Sequence, residues 1–194
     1  MRAQARQPFA RGSCAGLDCL ANKGLVFSRI QIPGVPVTID LLNTHMNSMG
    51  ASKVSVRRHL TAHWKQSREA MGFLASHADF ATPTIFGGDF NMRASEGRFA
   101  EFAMWKPLML VHRYCIEQAH RCDVRMSWDG DEPWMDTQDL QLFRSGTTVE
   151  VRPIRVEAMF DGSDGGPKLS DHDGFLVTYQ LSWPSHLTPP APCG

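Results

Sequence analysis

Pro83-Thr84-Ile85-Phe86-Gly87-Gly88-Asp89-Phe90-Asn91 is the stretch that decides how the rest of this chain is read. It opens as a short buried strand of β-branched and aromatic residues and ends in two glycines that deliver Asp89 and Asn91 at its mouth. Side chains alternate across an extended backbone, so Asp89 and Asn91 are expected on one side, with Phe90 on the other as packing. A plain turn is the competing reading, because Asp and Asn both favour turns through local hydrogen bonds.

Outward from this strand the chain reads as a crossover unit. Leu60, Trp64, Met71 and Leu74 recur at helical spacing between Val54 and His77, which predicts an amphipathic helix with these residues in the core. Before it, residues 24–30 and 37–43 read as an antiparallel pair of strands around a turn at Ile32-Pro33-Gly34-Val35-Pro36. The second of these runs into Asn43-Thr44-His45, so a strand, the helix and the Pro83 strand follow in order. Downstream, residues 96–104 suggest a short helix, and 111–146 are poorly periodic, with an acidic, tryptophan-anchored surface loop at 128–134. Residues 147–160 alternate well enough for one or two strands, and 174–181 form a clear final strand. Residues 1–22 read as an irregular lead-in, 23–183 as one domain, and the proline-rich 184–194 as a loose tail.

Composition limits what the motifs can mean. With 194 residues, 42% of them hydrophobic, the chain can bury one sizeable core and is too short for two ordinary domains. Twenty basic and twenty acidic residues cancel, so no overall field favours nucleic acid or an anionic membrane, and any specificity for polyanions must be local. No run approaches the roughly 18 apolar residues of a membrane span, and the basic start has no apolar segment after it. A soluble chain is expected, without a membrane anchor or visible export signal and with its compartment undetermined. The five cysteines leave three readings open. Cys14 with Cys19 and Cys115 with Cys122 close two small loops, or all five are reduced thiols, or some hold zinc, for which no CxxC pair exists.

Three polar clusters stand at strand ends: Asn43-Thr44-His45, Gly88-Asp89-Phe90-Asn91 and Ser170-Asp171-His172. Hydrolysis of a phosphate ester needs groups of these kinds. A carboxylate at a strand mouth, Asp89, can take a proton from water, and Asn91 can hold that carboxylate or a phosphate oxygen without adding charge. His45 and His172 are donors to phosphate oxygens near neutral pH, and Asp171 is a hard oxygen ligand for magnesium or manganese.

In this order, with a helix between the first two, the clusters resemble the endonuclease/exonuclease/phosphatase superfamily, from about Lys23 to Trp183. The resemblance implies an α/β fold of the DNase I-like type, a two-sheet β-sandwich flanked by helices, here with the N-terminal part missing. It implies a divalent-metal-dependent phosphoesterase in which water attacks phosphorus in line. His45 would bond the scissile phosphate, Asp89 would orient or deprotonate the water beside Asn91, and His172 would contact the phosphate from the opposite side. Asn43, His45, Asn91 and His172 would form the phosphate-binding set. Asp171, Asp89 and Asn91 would hold Mg2+ or Mn2+. The family pairs the last histidine with an aspartate on the preceding strand, a position that Glu157 occupies here. The family's metal-binding glutamate comes from its earlier strands, and no glutamate precedes Glu69.

The resemblance implies a phosphodiester substrate: DNA, a phospholipid head group as in sphingomyelinases, or a small phosphate ester. The contrasting reading is a non-catalytic truncated fragment of such an enzyme, and whether a partner chain completes it is unknown.

Overall fold

A computed structural model describes residues 1–93, 108–117, 122–125, 137–160, 170–172 and 174–187. The short helix expected at 96–104, the surface loop at 128–134, Cys193 and the last seven residues of the tail lie outside the described residues.

The described strands are β1 (Ala3–Pro8), β2 (Gly24–Gln31), β3 (Thr38–His45), β4 (Thr84–Asp89), β5 (Met109–Leu110), β6 (Asp123–Arg125), β7 (Asp139–Arg144), β8 (Glu150–Met159) and β9 (Gly174–Ser182). The helices are α1 (Met49–Ser52), α2 (Val56–His77) and α3 (Val111–Glu117). One six-stranded sheet runs β1-β2-β3-β4-β7-β5, and a three-stranded sheet runs β6-β8-β9. β2 and β3 pair antiparallel about the expected turn, where Gly34 takes φ 80°. β3 and β4 are parallel, joined across α2, and β7 returns antiparallel to β4.

The large sheet is covered on both faces, and its side chains divide accordingly. Leu42, Phe86, Leu140 and Leu142 share a core with Ala70, Met71, Phe73 and Leu74 of α2. The neighbouring Phe143 joins instead the core of Val151, Val156 and Tyr114, against which Val177 and Tyr179 of the small sheet pack. The alternation of β3, β4 and β7 thus sends one set of side chains to α2 and the other towards the small sheet.

Several expectations are corrected. Residues 3–8 are not irregular: β1 pairs antiparallel along β2, with Pro8 opposite Gly24. A Cβ on Gly24 would lie 2.4 Å from the Gln7 carbonyl oxygen, so the glycine that seemed to mark a beginning instead admits the neighbouring strand. The lead-in continues as two 3-10 turns, Arg11–Ser13 and Gly16–Leu20. On α2, Met71 and Leu74 are buried as expected, but Leu60 and Trp64 are 42% and 48% exposed. The buried face of its first half is polar, carrying His59, His63, Gln66 and Ser67, so a search for apolar residues alone picked the wrong side there. Cys14–Cys19 and Cys115–Cys122 are both disulfides, which resolves those four cysteines.

Replacing Leu74, which is 1% exposed, with alanine should cost about 2–5 kcal/mol of unfolding free energy. Trp64→Ser should cost less than about 1 kcal/mol, chiefly the Arg68 guanidinium stacked 5.0 Å above its ring. Urea denaturation of the two variants checks this, and equal losses would contradict the orientation of α2.

Candidate functional site

The strand register assembles the site. His45 on β3 is paired with Asp89 on β4, and Asp89 is paired with Asp139 on β7. Residues in one register row of a sheet project to the same face, so these three side chains stand side by side. The next row on that face, two residues along, is Asn43, Gly87 and Gln141. Both rows share the parity of Phe143 and so face the small sheet. From that sheet the segment preceding β9 brings His172 across the sandwich to the first row.

Bonding within the row is close. His45 Nε2 lies 3.2 Å from Asp89 Oδ2, and His172 Nδ1 lies 3.9 Å from the same oxygen. His172 Nδ1 donates to Asp139 Oδ2 at 2.6 Å. The Asp89 carboxylate is clamped from behind: the Asn91 backbone N–H donates to Oδ1 at 2.8 Å, and Asn91 Nδ2 donates to Oδ2 at 3.1 Å. Asn91 Nδ2 also donates to the Met46 carbonyl at 3.0 Å.

These bonds come from a turn and not from an extended chain. β4 ends at Asp89, and Asn91 takes φ 48°, a left-handed conformation that asparagine tolerates better than most residues. The turn reading is therefore correct, and the turn is what folds the Asn91 amide back onto Asp89. Phe90 between them is fully buried against Phe86, with ring centroids 5.1 Å apart. His63 of α2 completes the anchorage through Nε2, 2.7 Å from the Phe90 carbonyl oxygen.

Electrostatics follow from this crowding. Burial, and then the charge of Asp89, push the Asp139 carboxyl above the ordinary aspartate range against the opposing pull of His172. Burial alone would depress His172. The hydrogen bond to Asp139 and the charges of Asp139, Asp89 and Asp171 outweigh it and raise the imidazole above its usual value. His172 is thereby held in its cationic form further into the neutral range than a free histidine.

The remaining expected residues are placed as follows. Asn43 donates from Nδ2 to the Gly87 carbonyl at 3.2 Å and, with Gly87, Gly88, Gln141, Phe160 and His172, borders a cavity of about 500 Å3 beside the row. Asp171 is exposed, and Ser170 Oγ lies 3.4 Å from its carboxylate. Glu157 is not the partner of His172. Its two carboxylate oxygens lie 4.0 Å from Arg125 Nη1 and from Arg155 Nη1 respectively. The partner is Asp139, which sequence reasoning missed. The strand preceding the last histidine in sequence is β8, but the strand beside Asp89 in space is β7. A signal was available in Asp139-Leu140-Gln141-Leu142, whose alternation begins on a carboxylate as the other site strands end on polar groups.

Among the described residues, Asp89, Asp139 and His172 offer three metal-ligating atoms within 4.8 Å of one another. Asp171 is not in that group.

No family model and no curated protein sequence matches the chain. Solved structures do. D. rerio TDP2, humanised by 14 mutations, superposes with a TM-score of 0.61 at 19% identity, over 92% of this chain and 64% of that one. An endonuclease/exonuclease/phosphatase from Beutenbergia cavernae gives 0.60 at 13%, over 93% and 45%. Sphingomyelinase C from Streptomyces griseocarneus gives 0.55 at 16%, over 93% and 63%. This chain therefore has the DNase I-like α/β fold of the endonuclease/exonuclease/phosphatase proteins. It spans less than two thirds of the length of each of these three structures.

In metal-free protein, NMR titration of His172 should give a pKa above the ordinary 6.5. Asp139→Asn removes the charge and turns the bond into a weaker neutral one while leaving the burial, so the value should fall. An unchanged midpoint would mean that Asp139 does not hold the imidazole.

Proposed function

We propose that this chain carries a phosphodiester-hydrolysing site that works with a divalent metal ion. The observation that supports this reading most directly is the row His45, Asp89 and Asp139, completed by His172 from the other sheet. It sets a carboxylate base between two imidazoles, the arrangement needed for attack by water on a phosphoryl group whose oxygens gather negative charge.

In this reading Asp89 accepts the proton of the attacking water. Its two bonds from Asn91 leave the carboxylate little freedom, so the base is oriented before substrate arrives. His45, with its side chain 53% exposed, and His172 donate to non-bridging phosphoryl oxygens from two sides. Asp139 fixes the ring of His172 and favours its cation, so that the donor carries charge where charge develops. Asn43, one row deeper, borders the cavity that receives one of the ester groups.

The donor set suits a hard divalent cation. Two carboxylates lie in one small cluster, and Asp139 is displaced upward first by burial and then by the charge of Asp89, a repulsion that a cation would relieve. Asp89 and Asp139 would hold it, with Asp171, next to His172 in sequence, as a further oxygen ligand; His172 in its cationic form would not be a ligand. Bound there, Mg2+ or Mn2+ would lower the pKa of water and neutralise phosphoryl charge.

The fold does not choose among DNA, a phospholipid head group and a small phosphate ester. The balance of twenty basic against twenty acidic residues speaks against a dedicated duplex-DNA enzyme, which gains from a basic groove.

The purified chain should hydrolyse bis-p-nitrophenyl phosphate with Mg2+ or Mn2+ and stop when the metal is chelated. Asp89→Ala and His172→Ala should each lower kcat by about 10²–10³-fold. No turnover from the folded, metal-supplied chain would contradict the proposal and favour a non-catalytic piece of such an enzyme.

A further inference from the structure

The loop that follows His45 rests on a buried ion pair that the chemistry above does not use. Lys23 Nζ lies 2.9 Å and 3.1 Å from the two carboxylate oxygens of Asp18. The two side chains are only 12% and 4% exposed. The same ammonium donates to the Met46 carbonyl at 2.9 Å, and the Ser48 N–H donates to Asp18 Oδ2 at 3.0 Å. The pair thus grips the backbone on both sides of Asn47. Asp18 itself sits in the 3-10 turn Gly16–Leu20, in the short loop closed by the Cys14–Cys19 disulfide.

The Met46 carbonyl is where this pair meets the site. It accepts from Lys23 Nζ on one hand and from Asn91 Nδ2 on the other, which uses both of its lone pairs. Asn91 Nδ2 is also the group that holds Asp89 Oδ2. Met46 directly follows His45, and its N–H donates to the Asp89 carbonyl. The backbone of one residue, Met46, therefore connects the ion pair to the amide that aims the base and to the strand end that carries a phosphate donor.

A buried ion pair is a weak source of net stability, because desolvation of the two charges offsets most of their attraction. Here its bonds to the Met46 carbonyl and the Ser48 N–H fix the geometry of the backbone between them. We infer that Asp18 and Lys23 are positioning residues: through the Met46 carbonyl they set the placement of Asn91, and with it the orientation of Asp89, from the side of the site away from substrate. The inference rests on the phosphoesterase reading for its kinetic consequence, but its structural half does not.

The sheet provides its own control. Arg29 and Asp40 form a second buried ion pair, with contacts of 2.7 Å and 2.8 Å, at the opposite end of β3. Asp40 precedes His45 by five residues, roughly 17 Å along a strand.

The test compares Lys23→Met, Asp18→Asn, Lys23→Arg and Asp40→Asn by steady-state kinetics on bis-p-nitrophenyl phosphate and by the side-chain amide NMR signals of Asn91 in metal-free protein. Lys23→Met and Asp18→Asn should lower kcat about 10- to 100-fold, the scale of a sub-ångström to ångström misplacement, with KM within about twofold, and should displace the Asn91 signals. Lys23→Arg, which keeps the charge, should recover much of the loss. Asp40→Asn should lower stability while leaving kcat and the Asn91 signals in place. Unmoved Asn91 signals and an unchanged kcat in folded Lys23→Met would overturn the inference, as would an equal kcat loss in Asp40→Asn. If Lys23→Met does not fold, Asp18→Asn decides: it breaks the same pair and should displace the Asn91 signals, and unmoved signals in the folded variant refute the role. Absence of turnover in the unsubstituted chain would count against the phosphoesterase reading, and the Asn91 signals would then judge the positioning role alone.

Discussion

The parallel pairing of β3 with β4 sets His45 opposite Asp89, and the antiparallel pairing of β4 with β7 sets Asp89 opposite Asp139. The candidate site depends on that register. A slip of one residue in any of the three strands would turn its polar end towards α2 and its core residues towards the small sheet. The cores on the two faces prevent this. Leu42, Phe86, Leu140 and Leu142 are each at most 4% exposed on the α2 side, so the apolar interior fixes the row of polar side chains at the sheet's end.

What the register assembles is costly by itself. Asp89 and Asp139 are both poorly exposed, 15% and 29% at the side chain, and they repel each other. Groups held in such a state cluster at functional sites and also occur in structural ion-pair networks. The cost is met locally: Asn91 donates twice to Asp89, His172 donates to Asp139, and the Asp89–Asn91 turn is tied through Met46 and Phe90 to the rest of the core. The left-handed backbone at Asn91 belongs to the same arrangement, since it is what returns the amide to the carboxylate.

The strand at 84–89, the β2–β3 pair, the long helix and the final strand were legible because each carries a local period, and the fold class was legible through the order of the three polar clusters. Residues 3–8 were not, because an edge strand of alternating small and polar residues has little apolar signal of its own; its evidence is the glycine at position 24 that makes room for it. The polar underside of α2 was hidden for a related reason. His59, His63 and Gln66 are buried because they have partners in the fold, Gln66 receiving the Asn47 N–H and His59 approaching the Asn47 amide, and sequence alone does not show partners. Asp139 was missed because adjacency in the sheet is not adjacency in the chain. His45, Asp89, Asn91 and His172 were found, and the structure brings them together; Glu157 was placed by counting strands in sequence and lies instead beside two arginines of the small sheet.

The most direct test of the central claim, that these strand ends form one phosphate- and metal-binding centre, is a crystal structure of the chain soaked with Mn2+ and inorganic phosphate, with the metal located by its anomalous signal. We expect manganese within bonding distance of the Asp89 and Asp139 carboxylates and a phosphate bridging His45 and His172. Manganese elsewhere, or a phosphate that avoids both histidines at saturating concentration, would contradict it.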